Sequence, residues 1–111
     1  MARYIPDAGD IVWLQFNPQA GHEQAGRRPA IVLSPASYNG RVGLMLCCPM
    51  TSQAKDYPFE VILSNKTSVV LADQVKSVAW SARNAEFKEK ATPAELSEVR
   101  RKAALLIGVA Q

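Results

Sequence analysis

The sequence is poor in the residues that build metal centres and disulfide frameworks. Its 111 residues include one histidine, His22, and two cysteines, which are adjacent. One histidine cannot form a two-His zinc site, and no His/Cys spacing typical of a zinc finger is present. Cys47 and Cys48 cannot link distant segments, which excludes a small secreted disulfide scaffold. We expect no metal ion and no other cofactor, and we interpret both cysteines as core residues facing opposite sides of a strand.

Long apolar runs and phosphate-binding loops are also missing. No apolar stretch approaches the ~18 residues that cross a bilayer, and no signal-peptide core follows the first residues. Gly21 and Gly26 lie in no GxxxxGKS/T pattern, which excludes a P-loop nucleotide site. We therefore expect a cytoplasmic protein without a membrane partner.

The composition is that of a folded chain with a modest positive charge. Hydrophobic residues make up 48% and charged residues 21%, which excludes a disordered tail. A length of 111 residues predicts one domain, here residues 1–111. The net charge of +3 permits a nucleic acid or an acidic protein as partner.

Short apolar segments predict a mostly β fold, a small antiparallel barrel or half-barrel. The pair Asn39-Gly40 is typical of a tight turn and predicts a hairpin between the second and third strands. In the fourth segment, apolar residues alternate with polar ones, which places Glu60 on the face opposite the apolar side chains. Strands are expected at 11–16, 28–34, 43–48, 57–63, 69–76 and 85–90.

One helix is expected at the C-terminus. Thr92, Pro93 and Glu95 form the pattern of a capping box with proline at the first helical position. Gly108 is typical of a helix end. Apolar residues recur at helical spacing along one stripe: Leu96, Val99, Ala103, Leu106 and Ile107.

Two polar segments are candidates for a functional site. The first, residues 17–28, is long for a hairpin loop and contains groups that donate, accept and carry protons. On composition alone, the favoured interpretation of this segment is a polar loop whose charges face water, because loops commonly contain such residues. The second, residues 49–55, follows the third strand and contains Thr51, Ser52 and Lys55. If the second and third strands pair, Thr51 comes close to Arg28 and the two segments form one site.

Several segments together resemble the MazF/PemK family of bacterial toxin endoribonucleases, or mRNA interferases, and its MazF branch most closely. They are GDIVWLQFNP, GHEQAGRRPAIVLSP, CCPMTSQAKDYPFEVIL and LADQVKS, in this order from about Tyr4 onwards. The resemblance implies an SH3-like, twisted β-barrel of the CcdB/PemK type with a C-terminal helix. It also implies a homodimer that cuts single-stranded RNA in a sequence-specific, metal-independent way, leaving 2′,3′-cyclic phosphate and 5′-hydroxyl ends. The implied protein partner is a cognate antitoxin with an acidic C-terminal tail.

The resemblance also implies the catalytic residues. The family's arginine falls on Arg28 through GRRP, and its threonine falls on Thr51 through PMTS. Glu23 matches the glutamate of the active loop and either acts as the base or orients Arg28. The PemK branch uses an Arg-x-Asp arrangement, but Leu71 stands where the arginine would be. We therefore expect catalysis by Arg28 and Thr51 rather than around Asp73.

Substrate recognition is expected from polar side chains on loops and strand ends, because single-stranded RNA is bound at its exposed base edges. For Asn39 there is a structural alternative, in which it serves only as the turn residue of the predicted hairpin. The alternative function is a non-catalytic SH3-like module that binds nucleic acid or protein, such as a gyrase poison. The expected substrate-binding residues are His22, Gln24, Asn39, Gln53, Lys55, Asp73, Gln74 and Lys76.

Overall fold

The computed structural model describes residues 3–16, 26–64 and 68–109. In these residues the chain is mostly β, with antiparallel strands and a helix at the C-terminal end, which confirms the expected fold class. The elements are β1 (Asp10–Gln15), β2 (Arg27–Val32), α1 (Ala36–Val42), β3 (Leu44–Thr51), β4 (Glu60–Ile62), β5 (Val69–Leu71), β6 (Lys76–Ala79), β7 (Glu86–Lys90) and α2 (Pro93–Ile107).

The long strand β3 organises the sheet. The strand order is β4-β5-β3-β2-β1-β7, and β6 also pairs with β3. The first half of β3 pairs with β6, as Leu44 opposite Ala79, and its end pairs with β5, as Met50 opposite Val70. The single strand expected over 69–76 is therefore interrupted by a turn, in which the Gln74 amide donates to the Leu71 carbonyl at 3.0 Å.

The two cysteines lie in the core on opposite faces of β3, as predicted. Cys48 packs in a cluster with Ile11 and Val99, whereas Cys47 packs in another with Val12. Both side chains have no exposed surface. Burial raises the pKa of each thiol to about 12, so neither is a reactive thiolate at neutral pH.

Helix α2 begins and ends where the sequence predicts. The Thr92 side chain accepts from the Glu95 amide, and the Glu95 side chain accepts from the Thr92 amide, so the capping box is complete. Gly108 ends the helix with φ of +103°. The apolar stripe is buried only in its first half, at residues such as Val99, whereas Ile107 is 74% exposed.

The hairpin predicted at Asn39-Gly40 is wrong, because these residues lie in helix α1. Asn39 is fully buried: its side-chain amide donates to the carbonyls of Pro6 (2.8 Å) and Ser34 (2.9 Å). Its side-chain oxygen accepts from the Ser34 hydroxyl at 2.6 Å. These buried bonds outweigh the local turn preference, and Gly43 supplies the left-handed residue that ends the helix. Asn39 is therefore a structural residue and cannot contact RNA.

The fourth strand is shorter than predicted, and Glu60 is buried rather than exposed. Strand β4 begins only at Glu60, whose side chain is 9% exposed. Its carboxylate accepts from the Lys55 amide at 3.0 and 3.2 Å and from the Tyr57 amide at 3.4 Å. The alternation of apolar residues missed this carboxylate because its partners are backbone amides of the preceding loop.

Candidate active site

A cavity of about 390 Å³ opens where β2 begins and β3 ends. Its walls are these two strand ends, loop 52–59 and turn 72–75. Six of the expected site residues line it: Arg28, Thr51, Gln53, Lys55, Asp73 and Gln74.

The antiparallel pairing of β2 with β3 brings Arg28 and Thr51 together. Ala30 lies opposite Pro49, and continuing this register by two residues places Arg28 opposite Thr51. Helix α1 connects the other ends of the same two strands. The adjacency that the sequence suggested therefore arises from strand pairing, although a helix replaces the expected turn.

The two arginines of the GRRP motif have different surroundings. Arg27 forms an ion pair with Glu86 and donates to the Asn84 carbonyl at 3.1 Å. Arg28, one residue further along the strand, is half-buried and lines the cavity. Only the second guanidinium therefore faces the polar groups of the candidate site.

Thr51 and the loop after it present hydrogen-bonding groups to the cavity. The Thr51 hydroxyl oxygen accepts from the Gln53 amide at 3.2 Å, which leaves the hydroxyl proton to be donated to a ligand. Gln53 and Lys55 are exposed. The buried carboxylate of Glu60 holds the Lys55 backbone, so this irregular loop has a defined shape.

Asp73 lies across the cavity from this loop and is linked to it. The Tyr57 hydroxyl donates to Oδ2 of Asp73 at 2.7 Å. This hydrogen bond raises the pKa of Tyr57, because the phenolate would repel the carboxylate. The tyrosine therefore stays protonated at neutral pH and acts as the donor of the pair.

The other expected site residues lie either away from the cavity or outside the described residues. His22, Glu23 and Gln24 lie outside the described residues. Asn39 is a buried residue of α1. Lys76 lies on β6, with its ammonium 5.4 Å from the centre of the Phe16 ring, and does not line this cavity.

Tyr57, Glu60 and Leu71 also line the cavity, although the sequence patterns predict no role for them in the site. Leu71 stands where the PemK branch has an arginine, and it forms part of the cavity wall. The apolar alternation places Tyr57 and Glu60 in a strand. One signal could have identified Glu60: it is an acidic residue in an otherwise apolar segment, directly after a polar loop.

Two further properties concern the described residues only. Within 3–16, 26–64 and 68–109, no three His, Cys, Asp or Glu side chains are grouped in a way that could hold a metal ion. None of the helices found there is long and apolar enough to cross a membrane.

Comparison with known proteins identifies the family. A family model described as PemK-like, MazF-like toxin of type II toxin-antitoxin system matches residues 7–107. The chain belongs to this family. It is 53% identical to the endoribonuclease toxin MazF of Escherichia coli K12 over 110 residues, which cover 97% of this chain and 99% of the relative.

Solved structures agree with this assignment. The structure of MazF from Deinococcus radiodurans matches with a TM-score of 0.92 and 56% identity, covering 96% of this chain and all of the other. A MazE–MazF structure from the same organism matches with a TM-score of 0.87 and 56% identity, covering 97% of this chain and all of that one. These two MazF structures are therefore similar to this chain in both sequence and fold.

Proposed function

We propose that the Arg28–Thr51 cavity cleaves single-stranded RNA at specific sequences without a metal ion, leaving a 2′,3′-cyclic phosphate and a 5′-hydroxyl. The chain itself is an endoribonuclease toxin of a type II toxin–antitoxin system, as its family and its close relatives indicate. The observation that supports the proposed mechanism is the juxtaposition of Arg28 and Thr51 in one polar cavity.

RNA supplies its own nucleophile, the 2′-hydroxyl beside the scissile phosphate. The 2′ oxygen forms a bond to phosphorus while the bond from phosphorus to the 5′ oxygen breaks. A base takes the 2′ proton, and the leaving 5′ oxygen receives a proton. The protein must therefore align these atoms, stabilise the negative charge on the oxygens of the crowded, five-coordinate phosphorus and move two protons.

Arg28 and Thr51 fit the stabilising role. A guanidinium can direct two N–H groups at the non-bridging phosphate oxygens, and the Thr51 hydroxyl can add a neutral donor. Loss of one donor from such a preorganised site costs roughly 100- to 1,000-fold in rate. Arg28 is not proposed as the base, because a guanidinium does not give up its proton in proteins. Glu23, outside the described residues, is proposed either as the base or as the group that orients Arg28.

The remaining polar groups of the cavity suit base recognition. Amide, ammonium and carboxylate groups that line a cavity can bind the edges of unpaired bases and the backbone between them. Gln53, Lys55, Asp73 and Gln74 supply these groups from two sides of the cavity. We propose that they bind the RNA sequence around the cut.

Partners, assembly and location are proposed on the resemblance. Residues 1–111 are proposed to act as one toxin domain, as a homodimer, in the cytoplasm where mRNA is translated. The proposed protein partner is an antitoxin with an acidic tail, and the net charge of +3 suits both such a tail and RNA. The solved MazE–MazF complex of the D. radiodurans relative supports a partner of this kind.

The decisive experiment treats a long unstructured RNA with the purified protein in excess EDTA and maps the new ends. We expect discrete cuts with 5′-hydroxyl ends, reduced at least 100-fold by Arg28→Ala. Arg41→Ala is the matched control, because Arg41 is an exposed arginine of α1, at the other end of β2 and β3.

Two results would contradict the proposal. Cuts that EDTA abolishes would require a metal ion. Intact RNA with folded, antitoxin-free protein would instead support the non-catalytic binding module.

A further inference from the structure

Tyr57 and Asp73 connect loop 52–59 and turn 72–75, two of the segments that form the walls of the cavity. The Tyr57 hydroxyl donates to Oδ2 of Asp73 across 2.7 Å, and both side chains line the cavity. Both are exposed, Tyr57 to 45%. A hydrogen bond between two exposed groups contributes little to folding, because water replaces it readily in the unfolded chain. Its main consequence is therefore local, for the geometry of the cavity.

The backbone on either side of this bond is held firmly. The Glu60 amide donates to the Tyr57 carbonyl at 3.0 Å, while the Tyr57 amide donates back to the Glu60 carboxylate. The Ala72 amide donates to the Phe59 carbonyl at 3.0 Å, which joins loop 52–59 to turn 72–75. The Tyr57 hydroxyl is therefore presented to Asp73 from a fixed backbone rather than from a free loop.

The hydrogen bond from Tyr57 determines which ligand groups can bind to Asp73. An ionised carboxylate only accepts hydrogen bonds, and Tyr57 uses its one proton on Oδ2. The pair therefore offers acceptors alone to whatever enters the cavity. Adenine, cytosine and guanine each carry an exocyclic amino group that donates, whereas uracil has no amino group and donates only from its ring N3–H.

We propose that Tyr57 is a positioning residue that orients Asp73 to accept a hydrogen bond from the exocyclic amino group of one RNA base. Tyr57 thereby sets the base preference of the site without touching the reacting phosphate. The inference rests on the proposed function, since it requires that this cavity binds the RNA that is cut.

The test measures coupling between the tyrosine hydroxyl and a base amino group. A short RNA containing the mapped cleavage sequence is compared with RNAs in which one base at a time lacks its amino group. Purine riboside replaces adenosine, inosine replaces guanosine, and the 2-pyrimidinone riboside replaces cytidine. For each RNA, kcat/KM is measured with the full-length protein, Tyr57→Phe and Asp73→Asn. Tyr38→Phe is the matched control, because Tyr38 is 42% exposed on α1, away from the cavity.

We expect one amino deletion to lower kcat/KM of the unaltered protein about fivefold, the worth of one ordinary hydrogen bond. Tyr57→Phe should cut the natural RNA about fivefold more slowly and should lose most of its sensitivity to that deletion. Asp73→Asn keeps one acceptor oxygen and replaces the other by a donor, so it should lose part of the same sensitivity, whereas Tyr38→Phe should behave as the unaltered protein. If Tyr57→Phe does not fold, Tyr57→Leu, which also removes the hydroxyl, decides the question.

Two outcomes would overturn the inference while leaving the proposed function intact. One is that no amino deletion affects the unaltered protein. The other is that Tyr57→Phe slows all the RNAs equally, since a merely structural role predicts uniform slowing. Failure of the proposed function looks different: the unaltered protein leaves RNA intact, or Arg28→Ala cuts as well as the parent.

Discussion

Two buried carboxylates, Asp10 and Glu60, hold different parts of this molecule in different ways. Asp10 is 5% exposed and accepts from the Tyr4 hydroxyl at 2.6 Å and from the Lys90 ammonium at 2.8 Å. It also accepts from the Asp7 amide at 3.0 Å. These bonds fasten the segment before β1 to the end of the edge strand β7. Glu60, by contrast, accepts from backbone amides of loop 52–59.

The difference between the two networks lies in what each leaves exposed. Around Asp10, the polar side chains of Tyr4 and Lys90 are hydrogen-bonded to the Asp10 carboxylate. Around Glu60, the backbone is fixed while the side chains of Gln53 and Lys55 remain exposed at the cavity. A buried carboxylate that binds backbone can thus shape a site without occupying its functional groups. We expect changes around Asp10 to alter stability, and changes at the cavity to alter RNA cleavage.

The largest effect is expected at the cavity, from Thr51→Val. Valine keeps the branched shape but removes the hydroxyl, so kcat for RNA cleavage should fall about 100-fold. The free energy of unfolding should change by less than about 1 kcal/mol, because Thr51 is only half-buried. The measurement is single-turnover cleavage in EDTA together with urea unfolding. Ser37→Ala, which removes an exposed hydroxyl from α1, is the control. Cleavage within threefold of the parent would remove Thr51 from the mechanism.

The reverse pattern is expected from Asp10→Ala. This change leaves the Tyr4 hydroxyl and the Lys90 ammonium without their shared acceptor and should lower the free energy of unfolding by about 2 kcal/mol. Lys90 is partly exposed, which keeps the loss below that of a fully buried pair. Cleavage per folded molecule should not change.

Glu98→Ala is the control for Asp10→Ala, because Glu98 forms an ion pair with Arg101 on the surface. It should cost less than about 0.5 kcal/mol. Unfolding in urea compares the two variants. An equal loss of unfolding free energy in the two variants would show that the burial of Asp10 does not increase the stability that its bonds contribute.

Sequence patterns predicted the elements that depend on neighbouring residues. Helix α2 has its complete capping signal within four residues, Thr92 to Glu95, so local chemistry determines where it begins. The burial of Cys47 and Cys48 followed from their place in an apolar strand. Pairing of β2 with β3 also predicted that Arg28 and Thr51 are neighbours. These features need only local propensity and the antiparallel register.

The features that sequence analysis missed depend on contacts between distant segments. Asn39 is held by Pro6, 33 positions earlier in the chain, and no local signal reports that bond. Tyr57 meets Asp73 only because the chain turns back between them, 16 residues later. Such polar contacts leave no periodic pattern in the sequence, so the wall of the cavity could not be predicted even where the juxtaposition of Arg28 and Thr51 could.

Apart from the control variants, the smallest effect on stability is expected from Glu95. Its pH dependence separates the stability of the fold from the chemistry of the cavity. Burial raises the pKa of Glu95, but hydrogen bonds from the Thr92 and Ser64 amides lower it more, so its pKa in the folded protein is below normal. A lowered pKa means that this stabilisation is complete above the unfolded pKa of about 4.3 and is lost as the pH falls through the folded value. Urea unfolding between about pH 6 and 3 should therefore show a loss of about 0.5–1 kcal/mol that Glu95→Gln removes. The cleavage rate at neutral pH should be the same for both proteins. A steeper acid loss in Glu95→Gln would contradict this assignment, and a changed cleavage rate would show that α2 also shapes the cavity.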